Sequence, residues 1–223
     1  MASPLAVFDL DGTLIDTAPD LIDSLNYTID AYGLEPVTYE HVTHLVGHGA
    51  RAMIERAFVL RGHPLEETEY PAMLERFIAH YQAGMPGKGK PYPGVVEALQ
   101  RLKDAGYLLA VCTNKLEGLA RTLVTTNGLL DHFAVITGGD TFTVRKPDAA
   151  HLLETVKRAD GDPARTVMIG DSLNDILVAK NAKVPSIAVP FGYSDRPIAD
   201  LEPSHIISHY DELTPELMAK LLG

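Results

Sequence analysis

The sequence predicts an α/β fold: a doubly wound, mainly parallel sheet with a Rossmann-like core and an inserted all-helical cap. Strand patterns alternate with helical patterns from residue 93 onward, which is typical of a parallel sheet covered on both faces. One more apolar strand pattern, Leu5-Ala6-Val7-Phe8, stands near the N-terminus. Between these two strand-bearing regions the periodicity is only helical, so we expect an insertion there.

The N-terminal strand pattern ends abruptly in Asp9-Leu10-Asp11-Gly12. Acids beside a buried strand are usually paired or bound to metal, and at its carboxyl end they can converge on a cleft. Asp9 is then a candidate nucleophile or metal ligand, and Asp11 a candidate general acid or base. Taken alone, the two acids could equally be turn residues that follow an edge strand.

The helical stretch has several periodic segments and no clear strand between residues 16 and 84. Helical patterns cover residues 16–31, 50–61 and 66–83, and Thr38 can cap a further helix. Gly47-His48-Gly49 interrupts the pattern, and a turn-rich linker runs from residue 84 to residue 91. We therefore expect one strand-bearing unit made of residues 1–15 and 86–223, with residues 16–85 as an inserted helical subdomain.

The remaining elements alternate along the chain. Helical patterns cover residues 94–105, 116–126, 148–160 and 176–182. Strand patterns cover residues 107–112, 133–137, 166–169, 186–189 and 205–207.

Composition limits the classes of function. The 223 residues are 46% hydrophobic, which is enough for a substantial core, and 30 acidic against 19 basic residues give a net charge of −11. That charge argues against a nucleic-acid partner, which would require a basic face. The single cysteine, Cys112, excludes an internal disulfide and fits a buried thiol. Neither a membrane span nor a signal segment is evident, so we expect a cytoplasmic protein with no membrane partner.

Polar residues follow three of the predicted strands. Asp9 and Asp11 follow the first, Thr113-Asn114 the second, and Asp171 a later one, with Asp175 one helical turn further on. Lys146 precedes Pro147 in a connection between strands. Ligands of open α/β sheets bind beyond the carboxyl ends of the strands, so these groups can meet.

The set suits phosphoryl transfer. Carboxylate oxygens are ligands that Mg²⁺ prefers, and Thr113, Asn114 and Lys146 could hold a phosphate. Each piece has an ordinary explanation in isolation: a strand-end turn for Thr113-Asn114, a solvated lysine for Lys146, and a helix N-terminus for Asp171 and Asp175. Because these residues all lie at strand ends or in the connection beside them, we favour one shared phosphoryl-transfer site over these separate explanations.

The chain resembles the haloacid dehalogenase-like hydrolases. Four stretches carry the resemblance: Asp9-Leu10-Asp11-Gly12-Thr13, Thr113-Asn114, Lys146-Pro147, and Gly170-Asp171-Ser172-Leu173-Asn174-Asp175. The helical insertion between the first two resembles the cap of that family. The second aspartate, Asp11, argues against the dehalogenase branch, which resembles this pattern without it.

The resemblance implies roles for these residues. Asp9 would form an aspartyl-phosphate, and Asp11 would protonate the leaving oxygen and then activate water. Mg²⁺ would bind the Asp9 side chain, the Asp11 backbone carbonyl and the Asp171 side chain, while Asp175 would support the metal indirectly. Lys183 stands where the family usually has a glycine after the helix that bears Asp175.

Within the family, the chain is most similar to the phosphoglycolate phosphatases. Residues 14–21, Val46-Gly47-His48-Gly49-Ala50 and Pro190-Phe191-Gly192-Tyr193 carry this likeness. It implies hydrolysis of a small phosphorylated metabolite, 2-phosphoglycolate, to glycolate and phosphate by a monomer or homodimer. Four alternatives stay open: a sugar-phosphate phosphatase, a mutase, an inorganic pyrophosphatase, or a non-catalytic phospho-receiver.

Substrate choice is expected in the cap. Gly47, His48 and Gly49 break a helix and could bring backbone close to a small ligand, and Arg51 could grip a carboxylate through its guanidinium group. Arg51 could equally be a solvated helix residue, and His48 a polar loop residue.

Overall fold

The computed structural model describes residues 3–41 and 49–223. Its main sheet has six strands: Leu5–Phe8 (β1), Leu108–Cys112 (β4), Val135–Thr137 (β5), Thr166–Gly170 (β6), Ser186–Ala188 (β7) and His205–Ile206 (β8). All six are parallel, in the order β5-β4-β1-β6-β7-β8. The predicted mainly parallel α/β fold is confirmed.

Strand β1 lies in the middle of this sheet. It pairs with β4 on one side and β6 on the other, and all four of its residues are fully buried. Leu5 and Val7 pack into the apolar cluster on one face, while Ala6 and Phe8 pack into the cluster on the other. Because helices cover both faces, every position of β1 is apolar and no polar alternation is seen.

Helices flank the sheet on both sides. They are α4 (Val95–Asp104), α5 (Glu117–Thr126), α6 (Ala149–Arg158), α7 (Leu173–Ala182) and α8 (Pro215–Leu222). Helices α4, α5 and α8 contribute to the cluster around Phe8, and α6 and α7 to the cluster around Val7. Short 3-10 turns complete the described chain at Asp30–Tyr32, Tyr39–His41, Leu130–His132, Pro163–Arg165, Ile198–Leu201 and Tyr210–Glu212.

Three further helices form what we call the helical block: α1 (Ala18–Ile29), α2 (Ala50–Leu60) and α3 (Tyr70–Gly84). They share an apolar cluster that includes Leu25, Ile54 and Phe77. Helix α3 begins four residues later than its hydrophobic period predicts, with Pro71 in its first turn, where a missing N–H costs nothing. The helix predicted after Thr38 extends into residues 42–48, outside the described residues.

A short antiparallel ribbon escaped the sequence prediction. It pairs β2 (Ile15–Asp16) with β3 (Lys90–Pro91), at the two points where the chain passes between the sheet and the helical block. Asp20 reinforces it, since its carboxylate accepts hydrogen bonds from the backbone N–H groups of Lys88 and Gly89, each at 2.8 Å. Two-residue strands carry too little periodicity to be recognised. Helix α8 was also missed.

Lys183 occupies the left-handed position that ends α7, with φ 58° and ψ 38°. A side chain in this conformation costs roughly 1–2 kcal/mol, which explains why glycine is common there. The backbone N–H of Val184 still donates to the carbonyl of Ala179 at 3.0 Å. The helix end therefore keeps its hydrogen bond despite the substitution.

Among the described residues, no helix combines the length and the apolar character needed to cross a membrane.

Candidate active site

Three aspartates meet beyond the carboxyl ends of β1 and β6. Asp9 follows β1, Asp171 follows β6, and Asp175 lies in the first turn of α7. Each offers one carboxylate oxygen, and these oxygens lie within 4.8 Å of one another in a buried cluster. The sheet topology brings together residues that are more than 160 positions apart.

Lys146 joins two of these carboxylates. Its Nζ lies 2.9 Å from Asp9 Oδ1 and 2.6 Å from Asp175 Oδ1, and its side chain is 1% exposed. Burial alone would lower the pKa of Lys146, but the two carboxylates outweigh that effect and raise it above its ordinary value. The ammonium group is therefore a fixed charge in the site.

Asp175 has both carboxylate oxygens engaged by donors of the protein. Oδ1 accepts from Lys146, while Oδ2 accepts from the backbone N–H of Ser172 at 3.0 Å and from its hydroxyl at 2.6 Å. This is a capping box, and it explains why α7 begins at Leu173, earlier than predicted. The arrangement suits Asp175 to orienting its neighbours.

Asp171 is held from two sides in a crowded place. Its Oδ1 accepts from the Thr13 hydroxyl at 2.6 Å, and its Oδ2 accepts from the backbone N–H of Tyr193 at 2.7 Å. Gly12, at φ +79°, leaves room for it, since a Cβ there would lie 2.5 Å from Asp171 Oδ2. A Cβ on Gly192 would collide with the Asp171 side chain and with the Gly12 carbonyl. Small residues at both positions are thus a condition of this geometry.

Negative charge is in excess here. Burial and the charge of Asp175 raise the pKa of Asp9 to about 7, with Lys146 opposing them, and burial with Asp175 and Asp9 raises that of Asp171 well above its ordinary value. The carboxylates of residues 9, 11, 171 and 175 face the ammonium groups of Lys146 and Lys115. The formal excess of two negative charges matches a divalent cation, and the oxygen-only donor set suits a hard one.

Asp11 has partners of its own. Its Oδ1 accepts from the Thr17 hydroxyl at 2.6 Å and from Lys115 Nζ at 3.0 Å, and Lys115 Nζ lies 3.3 Å from Oδ2. Sequence reasoning missed Lys115, although it directly follows Thr113-Asn114. It also missed Thr17, because that residue lies where the pattern changes from strand to helix and neither period applies.

Thr113 and Asn114 line the same cavity as Asp9 and Asp11. The Thr113 hydroxyl oxygen accepts from the Lys115 backbone N–H at 3.2 Å, so its own hydrogen is available to a ligand. The Asn114 side-chain nitrogen donates to the Lys146 carbonyl at 3.1 Å, and its Oδ1 has no partner among the described residues. As oriented, Asn114 links the two phosphate-binding candidates Thr113 and Lys146 through the backbone.

The cavity encloses about 150 Å³ between the sheet and the helical block. We use the name floor for a group with two parts. Asp9, Asp11, Thr113, Asn114 and Lys115 line the cavity, and Lys146, Asp171 and Asp175 lie against Asp9. The opposite wall of the cavity, from the helical block, is largely apolar: Leu21, Met53, Leu74, Phe77, Ile78 and Tyr81. Three cationic residues also line it: Arg51, Lys115 and Arg145.

Of the predicted cap residues, Gly49 and Arg51 are described, and Gly47 and His48 lie outside the described residues. Gly49 is the N-cap of α2 and lines the cavity. The Arg51 guanidinium forms an ion pair with Glu67 and lies 4.7 Å from the centre of the Tyr70 ring. Arg51 is therefore at the cavity but already occupied by protein partners.

Comparison with known proteins identifies the family. The family model described as haloacid dehalogenase-like hydrolase matches residues 6–189. A phosphoglycolate phosphatase from Agrobacterium fabrum is 58% identical over 221 residues, covering 99% of this chain and 95% of that protein. Another, from Mesorhizobium japonicum, is 51% identical over 222 residues, covering 100% and 98%.

Solved structures agree. A predicted phosphoglycolate phosphatase from Haemophilus somnus superposes with a TM-score of 0.88 at 30% identity, covering 95% of this chain and 96% of that one. CbbY from Rhodobacter sphaeroides, crystallised in complex with phosphate, superposes with a TM-score of 0.76 at 26% identity, covering 96% of each chain. The chain belongs to the haloacid dehalogenase-like hydrolases, and it is a phosphatase.

Proposed function

We propose that this phosphatase hydrolyses 2-phosphoglycolate to glycolate and phosphate, using Mg²⁺ and an aspartyl-phosphate on Asp9. One observation carries the proposal. A small cavity is lined by Asp9, whose buried carboxylate pairs with Lys146, and by a second carboxylate, that of Asp11. With it we propose that residues 16–85 act as the cap over a core made of residues 1–15 and 86–223.

In the first half-reaction Asp9 attacks phosphorus. The Leu10 backbone N–H, at 2.7 Å, and Lys146 Nζ both contact Oδ1, so we assign the attack to Oδ2. An O–P bond forms, the P–O bond to the alcohol breaks, and Asp11 gives its proton to the departing oxygen. Lys146 stays charged and neutralises part of the negative charge on the transferring group.

In the second half-reaction Asp11, now ionised, takes a proton from a water molecule. The water oxygen attacks phosphorus, the bond from Asp9 to phosphorus breaks, and phosphate leaves. The Asp9 carboxylate is regenerated. The hydrogen bonds from Thr17 and Lys115 keep the Asp11 carboxylate in the cavity through both halves.

The residues present fit a magnesium ion. The Asp9 and Asp171 side chains and the Asp11 backbone carbonyl would hold it, and Asp175 would orient Lys146 and the turn beside it. When bound, the ion would supply the positive charge that offsets the phosphate and the clustered carboxylates. Thr113 would donate its hydroxyl to a phosphate oxygen, with Asn114 and Lys146 beside it.

The other end of the cavity supports a small acid as substrate. Apolar side chains of the helical block would leave sugar hydroxyls without partners, and each unpaired polar group costs ~1–3 kcal/mol. Arg145 Nη1 lies 3.6 Å from the point a Cβ on Gly49 would occupy, beside the first turn of α2. A carboxylate there would meet a guanidinium group and the N–H groups of a helix start. The phosphoglycolate phosphatase relatives support the same substrate.

A panel of phosphate esters tests the proposal. Phosphate release would be measured with 2-phosphoglycolate, a hexose phosphate, pyrophosphate and p-nitrophenyl phosphate, each with Mg²⁺ and with a chelator. We expect the highest kcat/KM for 2-phosphoglycolate and no turnover with the chelator. A higher kcat/KM for the hexose phosphate or for pyrophosphate overturns the substrate, and turnover in the chelator overturns the metal.

The nucleophile has its own test. Rapid acid quenching during turnover should trap phosphate on the protein, and peptide mapping should place it on Asp9. Trapped phosphate on another residue, or none while turnover is rapid and the second step limits the rate, contradicts the proposed intermediate.

A further inference from the structure

We propose that Lys115 is a positioning residue that holds Asp11 in its catalytic orientation. The ring of Tyr81, from the helical block, packs against the Lys115 ammonium group and helps to hold it in place. The inference rests on the proposed function, because it takes Asp11 as the acid and base. It adds a residue that the motifs Thr113-Asn114 and Lys146-Pro147 do not include.

The contact between the two side chains is close and shielded. Lys115 Nζ lies 3.0 Å from Asp11 Oδ1 and 3.3 Å from Oδ2, so it spans the carboxylate. The side chains are 5% and 17% exposed. An exchange of Lys115 for a neutral side chain would remove the contact to Oδ2 and leave the hydrogen bond from the Thr17 hydroxyl to Oδ1, about which the carboxylate could turn.

Lys115 is itself fixed by its backbone. Its N–H donates to the Thr113 hydroxyl oxygen at 3.2 Å, and its carbonyl accepts from the Gly139 N–H at 2.8 Å. The residue is thus part of the strand-end turn that also carries Thr113. Because the backbone N–H and the carbonyl of Lys115 are both hydrogen-bonded, its Cα is held in place and the side chain reaches Asp11 from a fixed point.

Tyr81 contacts the Lys115 ammonium group from the helical block. Lys115 Nζ lies 4.3 Å from the centre of the Tyr81 ring, a distance typical of a cation–π contact. Tyr81 belongs to α3, whereas Lys115 and Asp11 follow strands of the sheet. The helical block therefore contributes to the alignment of the general acid as well as to the wall of the cavity.

Loss of the contact between Lys115 and Asp11 should make the rate depend on the leaving group. A displaced acid matters most when the departing oxygen is a basic alkoxide, and little when it is a stable phenolate. Ethyl phosphate and p-nitrophenyl phosphate differ in this respect, and neither carries a carboxylate. Lys115→Met should lower kcat about 100-fold on ethyl phosphate and no more than about fivefold on p-nitrophenyl phosphate. Lys115→Arg should restore most of the loss.

A double-mutant cycle shows whether Lys115 acts through Asp11. In an Asp11→Asn background, Lys115→Met should lower kcat on ethyl phosphate by less than about threefold, because the group it positions has lost its proton chemistry. Lys157→Met is the matched control, since that lysine is 77% exposed on α6, and it should match wild type throughout.

Each outcome decides the matter. An equal loss on both esters, or an undiminished effect in the Asp11→Asn background, overturns the positioning role while leaving the proposed function intact. If Asp11→Asn itself shows no dependence on the leaving group, the acid–base role fails and the inference fails with it. Should Lys115→Met not fold, Tyr81→Leu replaces it, and it should lose more on ethyl phosphate than Tyr81→Phe does. The reverse order contradicts the proposal.

Discussion

Ion pairs on the floor of the cavity are buried, whereas the ion pair at its wall is exposed. On the floor, the Lys146 and Asp175 side chains are 1% and 0% exposed and paired. On the wall, the Arg51 and Glu67 side chains are 49% and 78% exposed. Breaking a buried pair strands a charge away from water, whereas an exposed pair contributes little. We infer that the floor fixes the chemistry and that the wall is free to vary with the substrate.

The largest expected effect is on the floor. Asp9→Asn keeps the shape of the side chain but removes the nucleophile, so turnover should fall to less than about one thousandth of wild type. Phosphate release measures this. The variant should retain the circular dichroism spectrum of wild type, which separates lost chemistry from lost fold. Turnover above a few per cent, after deamidation is excluded by mass spectrometry, would falsify the nucleophile assignment.

A second floor change addresses the metal. Asp171→Asn should raise the Mg²⁺ concentration needed for half-maximal activity by about tenfold or more, because a neutral amide is a poorer ligand for a hard cation. Titrating activity against Mg²⁺ measures it, and the same titration followed by thermal unfolding gives a readout without turnover. An unchanged half-saturation point in both titrations contradicts ligation by Asp171.

The parallel sheet was predictable from the sequence because both of its faces are covered. An all-apolar run such as Leu5–Phe8 has one simple explanation, and the residues after it inherit a place at the sheet edge. The meeting of Asp9 and Asp171 beyond the carboxyl ends of their strands followed from the same logic, whereas the order of the strands in the sheet was not predicted.

The partners of the site residues could not be predicted. Thr13 and Tyr193 hold Asp171 from opposite ends of the chain, and no local pattern marks that contact. Lys115 is an ordinary lysine in sequence terms until β4 places it beside Asp11. The short ribbon of Ile15–Asp16 and Lys90–Pro91 depends on pairing across the whole helical block, and two residues give no period to read.

A third prediction uses this unpredictable packing. Gly192→Ala should place a methyl group against Asp171 and the Gly12 carbonyl. Overpacking of this kind typically costs ~1–3 kcal/mol, and Asp171 must shift. We expect a lower Tm and a several-fold higher Mg²⁺ concentration for half-maximal activity. Gly118→Ala, in open space on α5, is the matched control and should lower neither the Tm nor the apparent Mg²⁺ affinity. A normal Mg²⁺ titration for Gly192→Ala would mean that the floor tolerates displacement of this carboxylate.

The last comparison is between two arginines that line the cavity, Arg51 from the helical block and Arg145 from the loop that carries Lys146. Arg51 already pairs with Glu67 and stacks on Tyr70, whereas Arg145 makes no ion pair with any residue in the described ranges 3–41 and 49–223. A guanidinium without a carboxylate partner beside the start of α2 is the better receptor for the substrate's carboxylate. Arg145→Gln should therefore lower kcat/KM for 2-phosphoglycolate about tenfold and change that for p-nitrophenyl phosphate by less than about twofold.

Arg51→Gln makes the comparison decisive, because it removes a charge of the same kind from the same cavity. It should change kcat/KM by less than about threefold on both substrates, since its ion pair is exposed and a carboxylate ligand would have to displace Glu67. His48→Ala, at a predicted cap residue outside the described part of the chain, belongs in the same series. If Arg51→Gln penalises 2-phosphoglycolate more than Arg145→Gln does, Glu67 must release Arg51 when the substrate binds. The wall would then rearrange around the carboxylate, and recognition would come from the helical block rather than from the loop that carries Lys146.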